Sequence, residues 1–170
     1  MRGERRAVPR AGSSMPSDAV AVTPSMFGLR AASRLMLEVI PPWTQELGLL
    51  LEAVEAWRPA GAAPDWYPGA VLRLPFTRKL CPDGRTISTQ ALMAFADASM
   101  IFACAAAWNG YRPMTAVDQT AHFLGPAHFD LLADARIIRA GTTTSFGRVS
   151  IYGASNRQQV AMMSGAYTML

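Results

Sequence analysis

The 170 residues hold only two cysteines and two histidines. Cys81 and Cys104 cannot build a disulfide framework, and no secretory signal core precedes them, so a reducing cytoplasm is the expected setting. His122 and His128 lack metal-ligand spacing and have no cysteine nearby, so neither a metal nor a bound cofactor is expected. A G-x-S-x-G turn is missing, which excludes the usual serine-hydrolase arrangement. Charge is sparse too, at 16% of residues with a net +4. Arg2, Arg5, Arg6 and Arg10 crowd the first 25 residues against Glu4 and Asp18, and the remainder carries only +2. So mild a balance argues against nucleic acid, while an anionic, phosphorylated small ligand stays compatible. No stretch reads as long and uncharged enough to cross a bilayer, and no internal repeat is present.

What the sequence has is apolar bulk: 51% hydrophobic residues, enough for a substantial core and for further burial in an oligomer. Residues 1–25, with Pro9, Pro16 and Pro24 and few large apolar side chains, are expected to form a disordered tail, with Met15 or Met26 as alternative starts. Residues 26–170 then make one domain.

That domain is organised around Thr86 to Gly110, TISTQALMAFADASMIFACAAAWNG. Thr86 and Ser88 supply helix N-cap chemistry, and Asn109-Gly110 supplies a left-handed terminus. Between them the residues are apolar around the whole circumference, so the helix must be wrapped by protein. Asp97 sits within it. An uncompensated buried carboxylate costs several kcal/mol, so Asp97 is either firmly partnered or kept for chemistry. Gln90 lies two turns upstream, so both can share one face with Met93, Ala94 and Ile101.

Before the helix, Phe27 to Ile40 is amphipathic and predicts a short helix ended by Pro41-Pro42. Trp43 to Leu47 predicts another helical turn. LLLEAVEAWR fits helix or strand equally by periodicity. Ala70 to Phe76 alternates as a strand, with Pro75 suggesting an edge or bulge. After the helix, Thr115–Leu124, Leu131–Arg139, Thr143–Gly153 and Gln159–Leu170 alternate between short breaks, which favours antiparallel neighbours. The outline is α+β: one long helix, then a meander of strands that curls round it.

Asp83-Gly84 before the helix and ALMAFADAS within it begin a set of weak motifs at consistent spacing. Thr115-Ala-Val-Asp118, Phe123-Leu-Gly-Pro126, Arg139-Ala-Gly141 and the closing VAMMSGAYTML complete it. Together they resemble the hotdog-fold thioesterases, most of all the phenylacetate-degradation-type acyl-CoA branch, over roughly Leu47 to Leu170. The resemblance implies a curved antiparallel sheet of about six strands around the helix, with LLLEAVEAWR as its first strand. It also implies a homodimer or a dimer of dimers, with each site shared across the subunit interface.

In that family the acid of the ADA-type stretch is the catalytic carboxylate, which Asp97 matches. The family usually opens its helix with His-Gly-Gly, where this chain has Ser88-Thr89-Gln90. The Thr89 N–H is then expected to polarise the substrate carbonyl at the positive end of the helix, with Asp97 as general base or nucleophile. Ser88, Gln90 and Met93 are expected to line the substrate site. Arg139 and Arg148 are the candidates for coenzyme A phosphates, against the plainer reading of solvated strand arginines. Asp118 reads as a half-exposed sheet residue. The resemblance therefore implies hydrolysis of an acyl-CoA thioester. The lost glycines keep a non-catalytic acyl-CoA binder open, and a hydratase or dehydratase is the remaining alternative.

Overall fold

The computed structural model describes residues 26–170; the expectation of a disordered tail falls outside that range. Leu29–Glu38 forms α1 and Pro42–Gln45 forms α2. α1 turns Ala32 and Leu35 inward, while Leu37 stays exposed on its outer side. Pro42 suits the first turn of α2, where its missing N–H is not needed. The two proline residues thus stop one helix and start the next.

Six strands follow: β1 (Leu50–Glu55), β2 (Gly69–Leu74), β3 (Met114–Phe123), β4 (Leu131–Ala140), β5 (Thr144–Gly153) and β6 (Gln159–Met169). The long helix α3, Thr89–Ala107, separates β2 from β3. The sheet order is β1-β2-β4-β5-β6-β3, and every neighbouring pair is antiparallel. LLLEAVEAWR therefore opens the sheet as a strand, as the resemblance implied. β4, β5 and β6 are the expected meander. β3 departs from it: it does not pair with β4 but crosses to the far edge and pairs with β6. Its partner is chosen by the whole sheet, because an edge register buries Met114, Gln119 and Ala121 partly while leaving its other residues exposed.

The core lies between α3 and the sheet. Leu72, Leu74, Leu131, Ala133, Ala135, Ile137, Val149 and Ile151 point inward from β2, β4 and β5 onto Phe95, Met100 and Phe102 of α3. Alternation on β4 is regular, with Ala133, Ala135 and Ile137 inside and Asp134 and Arg136 outside. Alanines on both α3 and β4 let helix and sheet approach closely.

The ends of α3 differ slightly from expectation. Ser88 is the N-cap, its hydroxyl accepting from the Ala91 N–H at 3.2 Å. Thr86 lies outside the helix; its N–H donates to the Asp83 carboxylate at 2.6 Å, as the Arg85 N–H does at 2.8 Å. These donors hold the Asp83 carboxyl below its ordinary range, with the Thr86 N–H the largest cause. At the other end Asn109 (φ 54°) and Gly110 (φ 151°) take the expected positive angles. The Asn109 side chain also accepts from the Phe27 N–H at 2.7 Å, which ties the start of the described chain to the end of α3.

By length and composition α3 is apolar enough to cross a membrane, contrary to the sequence reading, yet two thirds of its apolar window is buried inside the fold. The wrapping is incomplete on one side. Met93, Ala94, Asp97 and Ile101 form a half-buried stripe that faces the β6–β3 end of the sheet. The sheet packs α3 mainly with β2, β4 and β5, so that stripe is left for another occupant.

Candidate active site

Asp97 occupies this stripe and is half-buried, not sealed in the core as an all-apolar helix suggested. Its surroundings come from β6 and β3, the two strands at one edge of the sheet. The Tyr167 hydroxyl of β6 donates to Asp97 Oδ1 at 2.7 Å. The Gln119 amide of β3 donates to the same oxygen at 2.5 Å and to the Tyr167 hydroxyl at 2.7 Å. The three side chains close a triangle in which each donor has an acceptor. A β-bulge between Ala116 and Asp118 sets its geometry, because it shifts the register so that Gln119, and not Asp118, turns inward. Asp118 is exposed, more so than the half-exposed position expected of it.

Burial, followed by the charge of Asp97, pushes the Tyr167 phenol well above its ordinary value, so it serves as a neutral donor. The same two causes push the Cys104 thiol up to about 12, which makes it inert toward thiolate chemistry. Both hydrogen bonds end on Oδ1. Oδ2 accepts none among the described residues, and Asp97 borders a cavity of about 430 Å³. This oxygen is the one available to a ligand or a water.

Trp43, Thr89, Gln90, Met93, Ala94, Gln119 and Phe123 line the rest of that cavity. Gln90, Met93, Ala94 and Asp97 therefore meet as the helical period predicts, Thr89 borders the same cavity, and Ser88 stands beside them as the cap. With Ser88 capping Ala91, the N–H groups of Thr89 and Gln90 have no partner among the described residues and point out of the helix start. The Thr89 hydroxyl approaches the Gln90 amide oxygen at 3.4 Å. A second cavity of about 260 Å³ adjoins Asp97 on its other side, between Ile101, Met114, Thr115, Ala116 and Tyr167.

Arg139 and Arg148 do not join this group. Both are exposed strand residues, and Arg148 borders a separate depression with Glu55, Trp66, Asp134 and Arg136. There Arg136 bonds Glu55 and Asp134 at 2.5 Å each. The two histidines are exposed and stand outside the Asp97 cavity, His128 with Nδ1 at 3.0 Å from the Arg85 carbonyl oxygen. Among the described residues no group of His, Cys, Asp and Glu could hold a metal ion.

Sequence reasoning missed Gln119, Tyr167, Trp43 and Phe123. Only a register records the first two: a bulge decides which β3 residue faces inward, and no local pattern announces it. Trp43 and Phe123 are apolar residues whose exposure, not their type, marks them.

Comparison with known proteins supports the architecture. Residues 90–159 match the family model described as the thioesterase superfamily. No curated protein sequence matches the chain. Among solved structures it is similar to the Escherichia coli PaaI protein from the phenylacetic acid degradation operon, with TM-score 0.67 and 19% identity over 83% of this chain and 91% of that one. A Pseudomonas aeruginosa protein gives TM-score 0.68 and 20% identity, covering 84% and 98%. Zebrafish thioesterase superfamily member 2 gives 0.67 and 16%, covering 85% and 99%. At these identities the likeness is one of fold.

Proposed function

We propose that this chain, which has the hotdog fold and matches the thioesterase superfamily model over residues 90–159, is a member of that superfamily and hydrolyses an acyl-CoA thioester with Asp97 as the reacting carboxylate. One observation carries the reading: an oriented carboxylate with one oxygen free stands in a cavity that also holds an uncovered helix N-terminus. Gln119 and Tyr167 fix Oδ1, so Oδ2 is aimed without cost at the moment of reaction. In the general-base route Oδ2 takes a proton from water as the water oxygen bonds to the thioester carbon. Negative charge gathers on the carbonyl oxygen, where the Thr89 and Gln90 N–H groups and the helix dipole stabilise it. The C–S bond then breaks, and the leaving thiolate takes the proton back from Asp97. In the nucleophilic route Oδ2 attacks the carbon itself as the C–S bond breaks and the thiolate leaves; water then opens the resulting anhydride, which frees the acid, restores the Asp97 carboxylate and returns a proton to the thiolate.

Thr89 and Asp97 stand about 12 Å apart along the helix axis, further than one carbonyl group spans. Two chains paired through the exposed β3 edge would run their α3 helices antiparallel, bringing Thr89 of one opposite Asp97 of the other. That arrangement covers the half-buried stripe of α3 and removes an open sheet edge. A homodimer, alone or within a dimer of dimers, is therefore the proposed working unit. Coenzyme A phosphates lie far from the reacting carbonyl, so Arg139 and Arg148, outside the cavity, remain their proposed contacts.

Asp97→Asn tests the reading, with thiol release measured across short, aromatic and long acyl-CoA substrates. Hydrolysis should fall by about 10²-fold or more while binding and melting temperature hold. Unchanged turnover in a folded variant removes Asp97 from the mechanism. A second reading, an acyl-CoA binder without turnover, is favoured by the exposed Thr89 and Gln90 side chains where the family has glycine. Micromolar binding by the wild type with no thiol release would select it.

A further inference from the structure

Gln119 does more than orient Asp97. Its amide nitrogen carries two N–H groups, and both are engaged, with Asp97 Oδ1 at 2.5 Å and with the Tyr167 hydroxyl at 2.7 Å. The direction of the amide is thereby fixed, because a carboxylate only accepts. Gln119 Oε1, a strong acceptor, is left with no donor among the described residues. Asp97 Oδ2 is in the same condition. Neither oxygen is sealed in. Among the described residues, the unpartnered side-chain polar atoms shut off from solvent are Trp108 Nε1 and Ser145 Oγ alone. Gln119 and Asp97 line one cavity, so their two free oxygens are open to whatever fills it.

Two bare acceptors in one wall repel a third. The carbonyl oxygen of a thioester also only accepts, so it does not settle against them. Its place is at the unpartnered N–H groups of Thr89 and Gln90. What satisfies Oε1 and Oδ2 together is one small molecule with two hydrogens to give. The Nε2–Oδ1 bond clamps amide to carboxylate, and each free oxygen sits one atom back from that bond, within reach of a single water. With both hydrogens engaged, that water turns a lone pair toward the open cavity.

We infer that Gln119 Oε1 and Asp97 Oδ2 together seat the attacking water, and that hydrolysis runs by the general-base route. This rests on the reading of the chain as a thioesterase. Oδ2 takes one proton as the water oxygen bonds to the thioester carbon. The amide oxygen is far too weak a base to take the other, and holds it in place. The C–S bond breaks, the second hydrogen leaves with the carboxylic acid, and the thiolate recovers the first from Asp97. A nucleophilic Oδ2 has no use for a second acceptor and leaves Oε1 facing the thioester without a donor. Gln119 thus has two tasks: its N–H groups hold the base, and its oxygen holds the water.

Methanol tests the seat, because its one hydroxyl hydrogen cannot satisfy both acceptors. Acetyl-CoA, hexanoyl-CoA and benzoyl-CoA are turned over by the full-length protein in aqueous methanol, and the ratio of methyl ester to free acid is read by mass spectrometry. Wild type should give at least about tenfold less ester per acid than acetate ion catalysing the same reaction, the scale set by one unmet acceptor. Gln119→Met keeps the length and bulk of the side chain, so a purely steric bar to methanol survives in it. The ratio should nevertheless rise at least about fivefold in that variant as hydrolysis falls. Only molecules that turn over contribute to the ratio, so partial unfolding does not disturb it. A role limited to orienting Asp97 lowers ester and acid alike. A wild-type ratio equal to that of acetate, or one ratio shared by wild type and Gln119→Met, overturns the inference. If Gln119→Met does not turn over, the comparison of wild type with acetate decides. No thiol release by wild type overturns the hydrolase reading as well, whereas thiol release with indiscriminate use of methanol overturns the water seat alone.

Discussion

The phenol of Tyr167 donates to the carboxylate of Asp97 at 2.7 Å across 70 residues of sequence. The bond joins the last strand to the middle of the central helix, and the Gln119 amide bridges both partners. Because Tyr167 is 1% exposed, its ring position is fixed by the core, and the core thereby fixes the carboxylate. Stability and candidate chemistry are coupled at this point.

Tyr167→Phe separates them. The ring and its packing remain, but Asp97 loses one donor and the Gln119 amide loses one acceptor. We expect a stability loss of about 1 kcal/mol, the usual scale of a buried hydrogen bond, and a fall in kcat of about tenfold with KM little changed. Denaturant melts and steady-state kinetics check it. An unchanged kcat would show that Gln119 alone orients the carboxylate.

The proposed dimer makes a prediction of its own. Val117 lies on the edge strand at 59% exposure, so Val117→Lys costs a single chain nothing in its core. Light scattering should show at least twice the 18.3 kDa chain mass for wild type. It should show a shift to monomer for the variant, with thiol release lost alongside. A wild-type monomer that turned over substrate would exclude a shared site.

On the outer face, Arg136 bonds Glu55, and that bond is the largest cause holding the Glu55 carboxyl below its ordinary value of 4.5. A carboxyl depressed on folding contributes stability above its unfolded value and loses it as pH falls through the folded one. Melting temperature should therefore drop as pH falls below about 4.5. Glu55→Gln should show a shallower drop over the same window, and an identical pH profile would rule this ion pair out as a contributor.

Close packing of α3 on the sheet depends on Gly147 of β5. A Cβ there would stand 2.5 Å from Met100 Cε and 2.7 Å from the Arg136 carbonyl oxygen. Met100 can shift but the backbone cannot, so Gly147→Ala should destabilise the fold by about 1–3 kcal/mol. Urea denaturation measures it, and a neutral effect would mean that β5 stands further from the helix.

If Arg139 and Arg148 contact coenzyme A phosphates, Arg139→Glu and Arg148→Glu should each raise KM several-fold at low salt and leave kcat alone. Steady-state assays at two ionic strengths distinguish this from solvated strand arginines, for which neither constant should move.

Local chemistry determined a good part of this protein in the sequence alone. Alternation marked the four later strands, since a half-buried strand must alternate at a period of two. The run from Leu92 to Ala107, apolar but for Asp97 and Ser99, marked a wrapped helix, and helical period put Gln90, Met93, Ala94 and Asp97 on one face. Asp97 itself stood out because a charge in apolar surroundings demands a reason.

Tertiary structure decided what depends on long-range register. β3 went to the far edge of the sheet, and a one-residue bulge turned Gln119 inward in place of Asp118. The same packing stopped the sheet short of one helix face and left Asp97 half-buried beside a cavity. Tyr167 and Trp43 reached that cavity's neighbourhood from opposite ends of the described chain. A side chain's type and period are local properties, legible residue by residue. Which strand lies beside which, and where a wall ends, is set by burying all the apolar surface at once, and no single segment records that.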